Sequence, residues 1–247
     1  MINFKEPEEV EMILNKYKKS ISDSLSLPEK RYYLVKEVLK SEPLPPYEKC
    51  KDSYSNAGFI AASLMLEKVT KQSWESLIIK LSKDLKLGIH IGSPVGLGIH
   101  QPKGHINPQN WVSNKDLISV NDKTKVLPGD FYEFLQLCTP AGDISINTKG
   151  FIKFLQLNIN GINGKDNYLK SETYKQIFST YPIYSIGWYI VPEENFRYSH
   201  RGSNMMFNSF AGISPEKKLG VVIMINSNND SGITQTLNLL LKNYAKK

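Results

Sequence analysis

The stretch FRYSHRGSNMMFNSFAGISPEKKLGVVIMIN, residues 196–226, decides the fold. Aromatic and β-branched residues occur in it as short runs bounded by Gly, Pro, Asn and Ser, which predicts β-strands joined by turns. Together with the run just before it, the stretch predicts four strands, at residues 184–191, 196–200, 206–213 and 218–226. The turn Ser214-Pro-Glu-Lys217 joins the last two strands as a hairpin, so we expect an antiparallel sheet.

Helices are predicted on both sides of this sheet. After it, apolar positions at helical spacing predict an amphipathic helix from Gly232 to Tyr244, suited to covering one face of the sheet. Before it, the same spacing and capping residues predict helices at 8–17, 29–39, 56–69, 74–85, 148–157 and 172–178. Residues 89–138 interrupt this pattern as a long irregular excursion rich in Gly, Pro, Asn and Asp. The order of elements predicts an α+β fold in one domain, mainly helical over 1–178 and composed of sheet and terminal helix over 179–247.

The composition is that of an ordinary globular protein, and the sequence shows no pattern typical of metal or nucleic-acid binding. Apolar residues make up 40% and charged residues 22% of the chain. The formal net charge is +7, but the basic residues are interspersed with acidic ones, which argues against a nucleic-acid-binding surface. Cys50 and Cys138 form no short-spaced metal motif, and His90, His100 and His105 fit no zinc spacing. We therefore expect no metal, no cofactor and no nucleic-acid partner.

The apolar runs are too short for a membrane helix. The longest, Val221 to Ile225, is far below the roughly 20 residues that a membrane-spanning helix needs. The first residues, Met-Ile-Asn-Phe-Lys-Glu-Pro-Glu-Glu, are acidic and lack a basic stretch followed by a long apolar run. We expect neither a transmembrane segment nor a signal peptide in this chain.

Three short motifs follow one another along the chain. Tyr54-Ser55-Asn56 opens the helix predicted at 56–69, Pro140-Ala141-Gly142 precedes a later helix, and His200-Arg201-Gly202-Ser203 ends a predicted strand. In this order and context they resemble the motifs of the β-lactamase and DD-peptidase superfamily of serine hydrolases, which includes class C β-lactamases and penicillin-binding proteins. The resemblance covers nearly the whole chain. It implies a β-lactamase/transpeptidase-like fold and acyl-serine chemistry on amide or ester bonds of a small-molecule or peptide substrate.

The resemblance also implies roles for individual residues. Tyr54 would be the general base and proton shuttle, and Asn56 would hydrogen-bond either the substrate amide or the lysine that accompanies the nucleophile in the family. His200 stands where other members have a lysine, so it would stabilise developing negative charge or donate to the tyrosine oxygen. Gly202 would let a ligand approach the strand closely, and the backbone N–H of Ser203 would be one oxyanion-hole donor. The structural alternatives are a packing aromatic for Tyr54, a helix N-cap for Asn56 and a surface strand end for His200.

The nucleophile is the part of the family pattern that these 247 residues do not show. Family members carry Ser-x-x-Lys on one helical turn, where the lysine activates the serine. The one Ser-x-x-Lys here, Ser214 with Lys217, falls in a Pro-containing turn, in which that helical geometry does not form. The resemblance therefore implies that the pair precedes residue 1, and that this chain is the C-terminal portion of an exported bacterial parent enzyme, inactive by itself.

Other interpretations stay open beside that of a truncated hydrolase. One is a non-catalytic module that binds peptidoglycan-like peptides or a partner protein, and another is one half of a split gene. Loss of the N-terminal part of the fold would leave an apolar face and a strand edge uncovered, which predicts self-association.

Overall fold

The computed structural model describes residues 24–40, 54–95, 97, 100–106, 118–120, 136–191, 195–204, 206–228 and 230–244. The chain divides into two compact units. The first unit comprises Met1–Ser82, His90–Ser93 and Thr124–Ser145, and the second comprises Lys83–Ile89, Pro94–Lys123 and Ile146–Lys247. The helix predicted at 8–17 and much of the excursion lie outside the described residues. The predicted single domain, with its boundary between residues 178 and 179, stays a prediction.

The described elements follow the order that the sequence predicts. The α-helices are α1 (Leu27–Val38), α2 (Asn56–Thr70), α3 (Trp74–Leu85), α4 (Thr148–Ile162), α5 (Ser171–Ser179) and α6 (Ser231–Tyr244). The strands are β1 (Ile89–Ile91), β2 (Gly104–Ile106), β3 (Ile118–Val120), β4 (Ile144–Ile146), β5 (Tyr184–Ser185), β6 (Trp188–Ile190), β7 (Tyr198–Ser203), β8 (Asn208–Ser214) and β9 (Leu219–Ile225). None of the described helices is long and apolar enough to cross a membrane.

Capping residues fix where the helices of the first unit begin. Ser26 and Glu29 start α1 with a capping box, in which the Glu29 carboxylate accepts from the Ser26 N–H at 2.8 Å. Ser55 caps α2 by accepting from the N–H of Gly58 at 3.1 Å. Ser73, the predicted cap of α3, accepts from the N–H of Ser76 at 3.2 Å. These side chains satisfy N–H groups that a helix end leaves without a partner, so short-range chemistry explains the positions of the three helices.

The core of the first unit contains a buried arginine as well as apolar side chains. Leu34, Val35, Ile60 and Leu137 form the apolar cluster. Arg31 has no exposed side-chain surface; its Nη2 forms an ion pair with Glu75, and its Nη1 lies 3.6 Å from Glu67. Its Nε donates to the carbonyl of Leu137 at 3.2 Å, and its guanidinium lies over the ring of Trp74. One charged side chain thus ties together α1, α2, α3 and the segment before the Thr139–Ala141 turn.

The second unit is built around a five-stranded antiparallel sheet in the order β5-β6-β7-β8-β9. Helices α4 and α5 cover one face, where Leu155, Ile159 and Phe178 pack against Tyr198 and Ile213. On the other face, Ile233 of α6 packs in a cluster with Phe196, Phe210 and Ile223. The α+β fold with an antiparallel sheet and a covering terminal helix is therefore confirmed.

The predicted strand at 184–191 is in fact two strands, β5 and β6, and two further differences in element boundaries bear on the core and on the site. Helix α4 was expected to end at residue 157 but continues to Ile162, because Ile159 packs into the core and Gly161 lies against the ring of Tyr174. Strand β7 was expected to end at residue 200 but continues to Ser203, since Arg201, Gly202 and Ser203 pair with Phe210, Ser209 and Asn208 of β8. The His-x-Gly motif consequently lies inside the paired part of a strand.

Candidate active site

The Tyr-x-Asn motif lies in the first unit at the entrance to helix α2. Tyr54 donates from Oη to Oδ1 of Asn56 at 3.1 Å, and its ring packs on Phe59 with ring centres 5.8 Å apart. Because Ser55 is the N-cap, the side chain of Asn56 is not needed for capping and instead holds the tyrosine hydroxyl. The geometry sets aside the N-cap alternative for Asn56 and gives the phenol a fixed hydrogen-bond acceptor.

The Pro-Ala-Gly motif forms a turn in the first unit. Thr139–Ala141 is one turn of 3-10 helix, closed by a hydrogen bond from the Gly142 N–H to the Thr139 carbonyl at 3.0 Å. Just beyond it, Ser145 Oγ donates to the Gly92 carbonyl at 2.5 Å, and the Gly92 N–H donates to the Asp143 carbonyl at 2.7 Å. The segment that follows the motif thus fastens the residues after β1, which is a supporting role.

His200 lies in the second unit, on β7, among aromatic side chains. Its Nε2 is 3.3 Å from Tyr184 Oη, and its ring centre is 6.0 Å from that of Tyr184 and 5.9 Å from that of Tyr189. Burial lowers the pKa of His200, which favours the neutral ring, while a hydrogen bond with the backbone of Arg201 acts in the opposite direction. The histidine is partly buried and hydrogen-bonded, unlike the surface strand end of the structural alternative.

Gly202 and Ser203 continue β7 toward solvent. Both are exposed, and Gly202 stands opposite Ser209 of β8. A Cβ added at Gly202 would come within 2.7 Å of Ser209 Oγ, so the glycine lets this hydroxyl lie close to the β7 backbone. Arg201 alternates to the opposite side, where its Nη1 donates to Asp230 Oδ2 at 2.6 Å.

Other potential nucleophiles and ligands do not form a second site in the described part of the chain. Ser214, with 4% of its surface exposed, ends β8, so it does not share a helical turn with Lys217. Burial raises the pKa of Cys138 to about 12, which keeps this thiol protonated and unreactive. His105 Nδ1 lies 2.8 Å from the carbonyl oxygen of Asn226, and no group of three or more His, Cys, Asp or Glu among the described residues could hold a metal ion.

Tyr184 was not among the site residues predicted from the sequence, yet it contacts His200 directly. The turn at Ile186 and Gly187, both with positive φ, folds β5 back on β6 and places Tyr184 opposite Tyr189. Their rings then meet edge to face, with centres 4.7 Å apart. The sequence predicts one continuous strand over residues 184–191, and in a continuous strand the two tyrosines would not be paired.

The fold and the three motifs define a serine hydrolase fold of the β-lactamase type. The Beta-lactamase family model matches residues 22–245, and the chain belongs to that family. No curated protein matches the chain.

Solved structures show the same fold at low sequence identity. The D-amino acid amidase from Ochrobactrum anthropi SV3, complexed with L-phenylalanine, has a TM-score of 0.62 at 15% identity, over 92% of this chain and 67% of that one. A D-stereospecific amidohydrolase from Streptomyces sp. has a TM-score of 0.58 at 17% identity, over 92% of this chain and 62% of that one. FmtA from Staphylococcus aureus has a TM-score of 0.61 at 17% identity, over 89% of this chain and 57% of that one. The chain therefore spans between 57% and 67% of the length of these structures.

Proposed function

We propose that the protein serves the hydrolysis of an amide or ester bond through an acyl-serine intermediate, and that the 247-residue chain alone does not form that intermediate. The hydrogen bond from Tyr54 to Asn56 at the start of α2 carries the first half of the proposal. It holds a phenol in one orientation, as a residue that relays a proton between a serine hydroxyl and a leaving group requires. Membership of the Beta-lactamase family supports this chemistry.

The absence of a helical Ser-x-x-Lys from the sequence carries the second half of the proposal. A serine hydroxyl is nearly all protonated at neutral pH and needs an adjacent base before it can attack a carbonyl carbon. The one Ser-x-x-Lys, Ser214 with Lys217, belongs to the β8–β9 hairpin, and the serine is buried. An acylated serine must be accessible to the substrate and must lie beside its lysine. Ser214 is buried and does not share a helical turn with Lys217, so it meets neither requirement.

An amide substrate is favoured over an ester. Two of the solved structures with this fold are a D-amino acid amidase and a D-stereospecific amidohydrolase, by their names. In the proposed reaction the serine oxygen attacks the amide carbon, the C–N bond breaks, and the serine proton passes through Tyr54 to the departing amine. Water then releases the acid and restores the serine.

Intact-mass spectrometry tests the proposal. The chain is incubated with a β-lactam and with a p-nitrophenyl ester, alone and together with any Ser-x-x-Lys polypeptide encoded upstream of Met1. We expect no mass increase for the chain alone and an acyl adduct on the added serine in the mixture. Tyr54→Phe should suppress that adduct, whereas Tyr32→Phe, which alters an exposed tyrosine on α1, should not.

An adduct on a serine of the chain alone would refute the claim that it is inactive by itself, and Ser214→Ala would show whether that serine is the one modified. An adduct in the mixture that is indifferent to Tyr54→Phe would refute the role of Tyr54. Binding of a peptidoglycan-like peptide, with no adduct in either preparation, would instead support the non-catalytic module.

Self-association is a further proposal. On α2, Met65, Leu66 and Val69 expose 70%, 51% and 81% of their surface, which is apolar area that a second copy would bury. Sedimentation analysis of the chain with and without Val69→Glu would decide it: a wild-type monomer across concentrations would contradict self-association.

A further inference from the structure

The turn of the β5–β6 hairpin carries an isoleucine at a position where the backbone disfavours one. Ser185 pairs with Trp188, so Ile186 and Gly187 form a two-residue turn, the hairpin tip. Both residues have positive φ, 31° for Ile186 and 92° for Gly187, and turns of this kind favour Asn or Asp followed by Gly. A β-branched residue in this left-handed region is strained. Ile186 is therefore unfavourable for the local backbone.

The side chain of Ile186 is also exposed to water. It exposes 54% of its surface, so burial of the side chain does little to offset the strain of the backbone. Asn or Asp at this position would suit both the turn and the solvent. Backbone strain of this kind occurs where a function requires the residue, and an exposed apolar side chain is suited to contact an apolar group of a ligand.

Three aromatic rings lie next to the hairpin tip, and one of them is well exposed. Tyr184 and Tyr189 meet edge to face with ring centres 4.7 Å apart, and their centres lie 6.0 and 5.9 Å from that of His200. The two tyrosines are cross-strand partners, so the pairing of β5 with β6 holds their rings in place. Tyr189 exposes 40% of its surface. A further aromatic ring can pack on such a surface edge to face or in an offset stack.

We propose that Tyr189 and Ile186 are specificity-determining residues of a subsite that binds the aromatic side chain of an amide substrate. The inference rests on the proposed function, because the ligand is taken to be a substrate that approaches His200. A substrate beside that histidine would bring its side chain next to Tyr189, whose ring already packs on the His200 ring. Residues 181–191 contain no charged side chain, which favours an apolar group over an acidic or basic one.

Ligand-observed NMR titration of the chain tests this inference. The probes are N-acetyl-phenylalaninamide and N-acetyl-alaninamide, each in both enantiomers so that stereoselectivity does not hide binding. One added ring contact corresponds to about two- to tenfold tighter binding of the phenylalanine amide. Tyr189→Thr keeps a strand-forming residue but removes the ring, so it should abolish this preference. The matched control is Tyr168→Thr, which removes a tyrosine of similar exposure, 46%, outside the hairpin and should retain it.

Ile186→Asn distinguishes a residue kept for binding from one kept for folding. Asn adopts positive φ more readily than Ile in a turn of this kind, so the variant should raise the urea midpoint of the chain. The same variant should weaken the binding of the phenylalanine amide, because it removes an apolar contact. Stability and affinity should thus change in opposite directions, as is common for strained residues at functional sites.

Equal binding of the two amides by the wild-type chain, or binding of neither, would overturn the proposal even if a variant does not fold. A preference that survives Tyr189→Thr would overturn it too, as would a lower urea midpoint in Ile186→Asn. Sedimentation that shows dimers in the wild type and monomers in Ile186→Asn would mean that a second copy occupies the hairpin tip. The titration requires no acyl transfer, so a retained preference without any acyl adduct would contradict the proposed reaction and leave the subsite in place.

Discussion

Replacement of Arg31 by methionine should strongly destabilise the first unit. Methionine keeps a long, flexible, apolar side chain in place of the arginine stem but removes the charge. The carboxylates of Glu67 and Glu75, with 10% and 26% of their side-chain surface exposed, would lose their buried cationic partner. The carbonyl of Leu137 would also lose the hydrogen bond from Nε.

The loss in the free energy of unfolding follows from the burial of the ion pair between Arg31 and Glu75. Removing one partner of a buried ion pair costs about 3–5 kcal/mol, because the remaining charge is left without compensation. Arg31 has no exposed side-chain surface and belongs at the buried end of this range, whereas the partial exposure of Glu75 reduces the cost through solvent screening. We expect a loss of about 3 kcal/mol, which corresponds to a lowering of Tm by on the order of 10 °C.

Urea denaturation followed by circular dichroism would measure the effect. The matched control is Arg197→Met, which breaks an ion pair with Glu216 whose partners expose 53% and 58% of their side chains. An exposed pair of this kind contributes about 0–1 kcal/mol. Adding Glu75→Gln to Arg31→Met should recover part of the loss, because it removes an unpaired charge.

The reasoning would be refuted if Arg31→Met cost no more than Arg197→Met. It would also fail if Glu75→Gln made Arg31→Met less stable, because the carboxylate would then be stabilising without the arginine.

Two further predictions concern packing and pH. Gly150→Ala should lower stability by about 1–3 kcal/mol in urea denaturation, since the new Cβ would lie 1.8 Å from the Leu87 carbonyl oxygen. Gly142→Ala, with no atom within 4 Å of its Cβ, should be nearly neutral, and similar losses in both variants would contradict this account. Burial lowers the pKa of His200 below its ordinary value of 6.5, so the unfolded chain binds more protons and stability should decrease as pH falls below 6.5. His200→Gln should flatten the part of the urea-midpoint curve below pH 6.5, and an unchanged curve would count against it.

Features that depend on neighbouring residues were predictable from the sequence. The starts of α2 and α3 follow from Ser55 and Ser73, whose hydroxyls reach N–H groups three residues further along. The start of α4 follows from Asn147 in the same way, with its Oδ1 accepting from the Gly150 N–H at 2.8 Å. Such a cap is visible in four residues of sequence, and no tertiary contact is needed to recognise it.

Features that depend on distant residues were not predictable in this way. The additional turn of α4 beyond residue 157 forms because Ile159 finds a place in the core beside Ile213, far along the chain. The network around Arg31 likewise joins residues separated by up to 106 positions. In both cases the free energy comes from burial against a partner that local periodicity does not identify.

The same distinction applies to the candidate site. The motif residues Tyr54, Asn56, His200, Gly202 and Ser203 were selected by spacing and family resemblance, and their roles in chemistry stay predictions. The contact of Tyr184 with His200 needs the β5–β6 hairpin and the pairing of β6 with β7 to be in register. Register is set by turn geometry and packing, so a contact across two strand pairs could not be inferred from the sequence.

The orientation of His200 is coupled to the core through the two-residue period of β7. Tyr198, His200 and Gly202 pair with Ile213, Ala211 and Ser209 of β8, so all three side-chain positions lie on the face that α4 covers.

Along that face the burial decreases from Tyr198, 7% exposed, through the partly buried His200 to the exposed Gly202. A shift of β7 by one residue would expose Tyr198 and replace His200 by Ser199 or Arg201. The burial of one aromatic side chain under α5 therefore selects the register of β7 that places His200 on the same face as Tyr198.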